Sequence, residues 1–473
     1  MLLIYLSIGM LLPVAISLYA ADGAQFSLAA SAMIILTVGL LLRNILGRHA
    51  EYDIRERESI WMTVIIWLVI PLCGTLPYLF SGINTFSDAL FESFSGFTTT
   101  GSSVLVHPED LPAGLLVYRA MTQWVGGLGL LLFVVATLRK LGISAGSLYN
   151  AEFSGTQQRK LHPRLARSVS RMWRVYIIIT LAMIVLLLVQ GASLVDSVAL
   201  AFSTVSTGGF VTHSTGVAHL GTGVMVVIVV FMFLSGINVA LLYRFFTLRW
   251  RRPVPLWRDE ELRVYLSVFL VSVAACAVSF LSEGNDYRQA LPYSVFHIAS
   301  TMSTTGFYLP SLPRPALLVS VLTFVLIVVG ASAGSTGGGL KLRRIIILAK
   351  YIANYFTRMM HPNAVFRVKV NGEVVDDGYI RKVFAFVFLY IAFIVAGAFV
   401  HTLCGASIPE AVCMAAANVS NLGPSPLINN LGGSLDYALL PVAGKLTLVV
   451  LMLAGRLEIF ALVAVFSPSY WRK

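Results

Sequence analysis

Four stretches of hydroxyl, amide and glycine residues recur along this chain, and they offer many uncharged oxygen donors. They read FSGFTTTGSS at 94–103, STVSTGGF at 203–210, STMSTTGF at 300–307 and ANVSNLGPS at 417–425. Aligned on Gly101, Gly208, Gly306 and Gly423, the residue two before each glycine is Thr99, Ser206, Thr304 or Asn421. The residue between is Thr100, Thr207, Thr305 or Leu422. Glycine reaches backbone conformations that are costly for other residues. Carbonyl groups can therefore be turned to one side, where a ring of them replaces the water shell of a dehydrated cation. The plainer alternative is that small residues simply let membrane helices approach closely. Four such runs in register, at intervals of about one hundred residues, favour a selectivity filter and mark an internal repeat.

The elements that must position these runs are membrane-length. The chain has 473 residues, 57% of them hydrophobic and 12% charged, against roughly a quarter charged in a soluble domain. Apolar runs cover 1–20, 24–42, 60–80, 115–137, 173–190, 221–243, 264–282, 316–330, 341–356, 383–403 and 443–466, and most approach the ~20 residues needed to cross a bilayer. The first is read as a span, because it lacks the basic start of a cleaved leader. Before each glycine run lies a shorter apolar stretch (86–97, 195–205, 291–303 and 408–419), flanked by one full span on either side. The expected unit is a span, a half-helix with a re-entrant loop, and a returning span. Irregular backbone at that depth is tolerated only where protein buries it or it lines water. Each unit starts and ends on the same side, so the four are related by rotation about the membrane normal, unlike inverted repeats.

Net charge is +12, but its distribution argues against nucleic acid. Of 34 Lys and Arg, 29 fall in 43–57, 139–174, 244–263, 341–382 and 472–473. These are alternate loops, placed in the cytoplasm by the positive-inside bias. The opposite loops carry ten acids against Arg119, Arg288, Arg314 and Lys445, a balance that raises local cation concentration. The cysteines form no disulfide framework or metal pattern. No soluble domain or enzymatic constellation is visible, and no cofactor is expected in this chain.

Two features lie beyond the repeat. GASAGSTGGGL at 330–340 contains Gly330, Gly334, Gly337, Gly338 and Gly339. No GK[ST] follows, so it is not a phosphate loop; a plain inter-helix turn and a membrane helix broken midway both remain. Arg456 sits inside KLTLVVLMLAGRLEIFALVAVF, past mid-membrane, where an arginine costs roughly 2.5–3.5 kcal/mol unless it faces water or a partner. Glu458, two residues on, points to another side of a helix and is expected to pair elsewhere.

At these residues the chain resembles the superfamily of K+ transporters that includes the bacterial Trk and Ktr subunits and the plant HKT proteins. The resemblance covers the whole chain. The two extra N-terminal spans, HPNAV at 361–365 and GRLEIF at 455–460 make it most similar to the TrkH branch. It implies an all-α polytopic membrane protein of four fused K+-channel-like (M1–P–M2) repeats around a central pore. The divisions would be 1–50 for the extra helices, then 51–145, 146–255, 256–365 and 366–473. The family's filter maps onto Thr99–Gly101, Ser206–Gly208, Thr304–Gly306 and Asn421–Gly423, with K+ bound there. The fourth unit departs from the threonine-rich pattern at Asn421, Leu422 and Pro424. The resemblance further implies a gate made of the 330–340 loop, which occludes the pore, and of Arg456 as a charge barrier. It implies a homodimer in the bacterial inner membrane with a cytoplasmic N-terminus, and a cytosolic TrkA-like regulatory subunit that binds NAD(H) or ATP/ADP. The function so implied is passive K+ uptake; the alternative is a secondary transporter coupling K+ to H+ or Na+, with Glu92 and Glu458 the evident acids for a relay. Sharing one glycine per unit, against two in TVGYG, implies looser discrimination of K+ from Na+ than in a tetrameric K+ channel.

Overall fold

The computed structural model describes residues 1–46, 56–83, 85–129, 162–248, 256–309, 317–361, 363, 366–423 and 437–467. The first two apolar runs form α1 (Leu2–Gly9), α2 (Leu11–Ala20) and α3 (Gln25–Leu46). Their hairpin turn is organised by Asp22. One carboxylate oxygen accepts from the Ala24 N–H and the Ser17 hydroxyl, and the other from the Gly114 N–H at 2.8 Å. Gly114 has no room for a side chain, because a Cβ there would collide with Ser17 and Leu28. The N-terminal pair therefore docks against the start of a later helix with backbone and helix in direct contact.

The rest of the chain alternates long and short helices: α4 (Glu56–Cys73), α5 (Leu76–Phe80), α6 (Phe86–Phe97) and α7 (Ala113–Trp124); α8 (His162–Val189), α9 (Leu194–Val205), α10 (Thr222–Ser235) and α11 (Val239–Leu248). Then follow α12 (Glu260–Ser282), α13 (Tyr287–Met302), α14 (Leu317–Val329) and α15 (Leu342–Met360), and last α16 (Asp377–Leu403), α17 (Ile408–Val419), α18 (Val442–Arg456) and α19 (Phe460–Phe466). Among the described residues six helical segments are long and apolar enough to cross a membrane, with the bent pair α10–α11 as a seventh. This is an all-α, multi-pass membrane protein. Among the described residues the strands are limited to a two-stranded hairpin, Lys369–Val370 with Glu373–Val374.

Two breaks within runs that read as continuous spans bear on the loops. The 221–243 run bends by 107° between α10 and α11, and the 443–466 run stops at Arg456 and restarts at Phe460. Hydropathy cannot reveal the first break, because its freed backbone groups are satisfied by residues about one hundred positions away. The Ser332 N–H donates to the Gly236 carbonyl at 3.1 Å, and the Val239 N–H to the Gly334 carbonyl at 3.1 Å. Asn238 caps the new helix through Oδ1 and the Ala240 N–H at 2.8 Å. At the second break Glu458 and Ile459 both take positive φ, 53° and 56°. The second helix of the first unit changes to a π-helical turn at Val125–Gly129; the remainder of the expected 115–137 run lies outside the described residues, as do most of the basic loop at 139–171, Pro424 and much of HPNAV.

Asp22→Ala removes acceptors for the Gly114 and Ala24 amides together. At about 1–3 kcal/mol for buried groups left unsatisfied, the variant should melt several degrees below the parent in a detergent thermal-shift assay, while Asp22→Asn should lose less.

Candidate functional site

The four short helices are fixed at their N-terminal ends by side-chain caps. Thr85 accepts from the Asp88 N–H, Ser193 from Asp196 and Asp286 from Arg288, while Ser407 and Glu410 form a capping box. These are the residue types that satisfy the first free N–H groups of a helix. At the other end, Thr98, Ser206, Ser303 and Ser420 are the C-caps, all in right-handed helical geometry. The next residue in each case takes the left-handed conformation: Thr99 (φ 57°), Thr207 (55°), Thr304 (60°) and Asn421 (51°). Two further on comes a glycine with φ 80–85°: Gly101, Gly209, Gly306 and Gly423. Four loops of different sequence thus share one backbone path.

This corrects the register read from the sequence in the second unit. There Gly209, and not Gly208, is the counterpart of Gly101, and Thr207, and not Ser206, is the counterpart of Thr99. The GG doublet concealed it. Each positive-φ glycine lies four residues beyond the last residue of its helix, Phe97, Val205, Met302 or Val419, so alignment on the helix ends would have found it. Gly208 instead matches Thr100, Thr305 and Leu422. It lacks a side chain because Gln123 from α7 fills that space; Gln123 Nε2 donates to the Gly208 carbonyl at 2.7 Å, and its Oε1 accepts from Phe210.

The loops close into a ring. A Cβ on Gly101 would strike the Gly208 carbonyl oxygen, one on Gly209 the Thr305 oxygen, one on Gly306 the Leu422 oxygen, and one on Gly423 the Thr100 oxygen. Four carbonyl oxygens thus alternate with four glycines, each loop touching the next and the last touching the first. All these residues are buried. The C-terminal ends of the four helices, each equivalent to about half a negative charge, converge on this ring. The arrangement gathers oxygen dipoles where the four loops meet.

Behind the ring, each loop is held by its neighbours. Asn421 Nδ2 donates to Thr100 Oγ1 at 3.0 Å and to the Met452 carbonyl at 2.9 Å. Ser102 donates to Asn418 Oδ1 at 3.0 Å, and Tyr390 meets Ser420 at 2.6 Å. The fourth unit's amides thus bond across to the first unit where threonines stand elsewhere. Glu92 and Arg119 form a fully buried ion pair, 3.2 Å apart. The other Glu92 oxygen accepts from Ser103 Oγ at 2.5 Å and the Val104 N–H at 2.7 Å. Arg119 reaches the Val211 carbonyl and lies 4.2 Å from the centre of the Phe210 ring. The pair braces the chain leaving the ring in both the first and second units.

The 330–340 segment lies between α14 and α15 and packs against three of the loops. The Gly338 N–H donates to Thr304 Oγ1 at 2.8 Å, and Thr336 Oγ1 contacts the Val205 carbonyl at 3.2 Å and the Ser235 carbonyl at 3.3 Å. A Cβ on Gly338 would strike the Ser420 carbonyl, and one on Gly337 would crowd Ala331, Ser303 and Thr304. Gly330, Gly334 and Gly339 carry φ of 70–77°. Arg456, the last residue of α18, donates to the Thr336 carbonyl at 3.3 Å, to the Gly126 carbonyl at 2.5 Å and to the Gly127 carbonyl. It joins the glycine segment to the π-helical turn of the first unit. Glu458, beyond the end of α18 at φ 53°, pairs with Arg344 on α15 at 2.6 Å, and Arg344 also stacks 4.0 Å over Phe386.

The Glu92–Arg119 pair was not evident in the sequence, because its members are 27 positions apart on helices facing each other. Removing one member leaves a buried charge alone, which costs about 3–5 kcal/mol. Glu92→Ala should therefore lower thermal stability strongly, while Glu92→Ala combined with Arg119→Met should recover part of the loss. Equal melting of the single variant and the parent would refute the brace.

The sequence profile described as "TrkH: Cation transport protein" matches residues 24–473. The Trk system potassium uptake protein TrkH of Salmonella typhimurium (strain LT2) is 34% identical, with 100% of this chain and 98% of the relative covered. The Trk system potassium uptake protein TrkG of Escherichia coli (strain K12) is 31% identical, covering 90% and 87%. The crystal structure of the potassium transporter TrkH from Vibrio parahaemolyticus superposes with a TM-score of 0.88 at 30% identity, covering 100% of this chain and 97% of that one. With a family profile over nearly its whole length and full-length relatives above 30% identity, the chain belongs to the TrkH family of cation transport proteins.

Proposed function

We propose that this chain is the K+-conducting subunit of a potassium uptake system, and that K+ passes through the ring of four loops down its electrochemical gradient. The carrying observation is the closed ring, in which the carbonyls of Thr100, Gly208, Thr305 and Leu422 each lie against the next loop's glycine. Four half-helix C-termini and a ring of carbonyls supply the field a dehydrated cation needs. The relatives named as potassium uptake proteins support K+ as the ion. The filter residues are then Thr99–Gly101, Thr207–Gly209, Thr304–Gly306 and Asn421–Gly423, with Ser206 as the second loop's cap. The four units are read as channel-like repeats with the divisions given above, the boundaries at 50, 145, 255 and 365 lying outside or beside the described residues.

The uncoupled reading is favoured over a coupled carrier by the two membrane-depth acids. Glu92 and Glu458, the evident candidates for a proton relay, are both engaged with arginines, which ties each carboxylate to a fixed partner. The gate is assigned to the 330–340 segment with Arg456. Its glycines permit several backbone conformations of similar energy, which suits a gate whose two states differ by a few kcal/mol. α15 starts directly after it with Lys341, Arg343 and Arg344, a lever for force from the cytoplasm. The homodimer, the TrkA-like nucleotide-binding regulator, the inner membrane and the cytoplasmic N-terminus are supported by the family resemblance and by the basic loops.

Gly101→Ser tests the filter. A side chain at φ 83° that meets the Gly208 oxygen imposes strain of about 1–3 kcal/mol on one quadrant. Preference for K+ over Na+ in proteoliposomes should fall about fivefold or more, read as a shifted reversal potential in mixed ions; an unchanged potential would remove the ring from the ion path. Arg456 tests the gate. Arg456→Ala should raise Rb+ flux, since a fixed cation near a partly dry path repels cations. Arg456→Gln, which keeps a donor for the Thr336 carbonyl without the charge, separates a charge barrier from a latch: flux rises in the first case and stays near the parent level in the second. Reduced flux in both folded variants would make the arginine structural.

A further inference from the structure

From the outer rim we infer a binding site for a divalent transition-metal ion, formed by His213 and His219 between the first and third loops. The two imidazole rings have centroids 4.7 Å apart and planes tilted by 36°. Both Nδ1 atoms face one point: Thr215 Oγ1 lies 2.9 Å from Nδ1 of His213 and 3.4 Å from Nδ1 of His219. The Thr215 N–H donates to His213 Nδ1 at 3.2 Å, so the Nδ1 lone pair faces this point, and a metal bound there takes the place of that hydrogen bond. A metal with nitrogen bonds of about 2.0–2.1 Å sits about 3.2 Å from each ring centre, so rings 4.7 Å apart give an N–metal–N angle near 95°. That lies between octahedral and tetrahedral values, within a small movement of either ring. The Thr215 hydroxyl stands at the same point and becomes an oxygen ligand or swings aside about χ1.

The segment carrying these histidines is not a loose loop. Ser214, between them, donates its N–H at 2.7 Å and its hydroxyl at 2.5 Å to Glu109 of the first unit's outer connection. The Tyr308 hydroxyl, two residues beyond Gly306, donates to the Ser214 carbonyl at 2.9 Å. Gly216 packs on the Tyr308 carbonyl at a φ of 65° that a side chain would not allow. Thr212 donates to Asp196 at 2.6 Å. The site is thus built before any ion arrives. Partial desolvation raises the Glu109 carboxyl, but the Ser214 donors, its own backbone and His107 outweigh it and hold it down at about 2, so a negative charge stands beside the rim at any physiological pH.

Ligand chemistry sets the class of ion. Imidazole nitrogens suit Zn2+, Cu2+ and Ni2+, whereas K+ and Mg2+ prefer oxygens. Among the described residues no three His, Cys, Asp or Glu side chains converge for a metal, so water completes the shell and binding is reversible. His213 is four residues beyond Gly209, at most about 14 Å along an extended chain. That is comparable with the screening length of about 10 Å at 0.1 M salt, so a bound dication lowers cation access to the ring.

The effect on flux rests on the reading of the ring as the ion path, while binding itself does not, and the test separates them. Tag-free protein is titrated with Zn2+ by calorimetry and loaded with Cu2+ for electron paramagnetic resonance, where two imidazole nitrogens give a distinct hyperfine pattern. His213→Ala and His219→Ala should each weaken Zn2+ binding at least about tenfold, since even outer-shell partners of metal ligands are worth about 10–100-fold. His107→Ala should leave it unchanged. Outer Zn2+ should lower Rb+ flux of the parent in proteoliposomes several-fold and leave the double variant unaffected. Unaltered Zn2+ affinity and Cu2+ spectrum in the double variant would overturn the site. Binding lost in the variant with no Zn2+ effect on parent flux would overturn its action on access. Absent Rb+ flux with the metal site intact would strike at the conduction reading alone.

Discussion

Everything in this protein depends on four carbonyl oxygens occupying the places where four glycine side chains would be. The contact is stringent because it is cyclic: a Cβ at Gly101 pushes on Gly208, Gly209 pushes on Thr305, Gly306 on Leu422 and Gly423 on Thr100. A clash at one position cannot be relieved by moving one loop outward without opening the contact to the next. Four non-glycine residues in left-handed geometry beside it, Thr99, Thr207, Thr304 and Asn421, each carry a conformational cost of about 1–2 kcal/mol. The caps of the short helices, the buried hydroxyl contacts and the Glu92–Arg119 brace offset that cost.

The broken helices follow from a second demand of the membrane. A backbone N–H or carbonyl released from a helix there needs a protein partner, since lipid offers none. The breaks therefore come in complementary sets. Gly236 and Val239 bond to Ser332 and Gly334, so the bend after α10 and the glycine segment after α14 satisfy one another. Arg456, at the end of α18, takes up carbonyls of the glycine segment and of the π-helical turn at Val125–Gly129. Gly126 is packed against the Phe97 carbonyl and Gly127 against Ser206, which brings that turn directly under the first two loops. Among the described residues, the breaks after α10, α14 and α18 and the π-helical turn after α7 are thus joined by mutual contacts.

The sequence made the spans, the four short helices and the loops legible, because apolar length and small-residue clusters are local properties. Different partners for Arg456 and Glu458 are expected from helical spacing, and they do differ, but because α18 ends at Arg456 and Glu458 lies beyond it at φ 53°. What escaped was set by distant partners. Gly208 and Gly209 are chemically identical neighbours, and the contact that distinguishes them comes from Gln123, 85 positions before Gly208. The break at 236–238 sits in a run whose hydropathy is continuous, and its stabilising groups lie in another unit. Ion pairs such as Lys445 with Asp88 at 2.6 Å join the fourth unit to the first across almost the whole chain. Their members looked like ordinary outer-loop charges.

The departures from four-fold symmetry are as informative as the symmetry. Where the first and third loops have a threonine, the second has Gly208 backed by Gln123; one residue earlier, where the other three loops have a threonine, the fourth has Asn421, whose amide bonds both to the first loop and to α18. In each case a hydrogen bond from a neighbouring helix or loop replaces a local hydroxyl, while the backbone path stays the same. Selection on one fused chain, unlike a tetramer of identical subunits, acts on each quadrant separately. The ring then needs only common backbone geometry, and side chains behind it are free to differ. That freedom lets one unit alone carry the glycine segment under the ring and another carry the arginine that holds it.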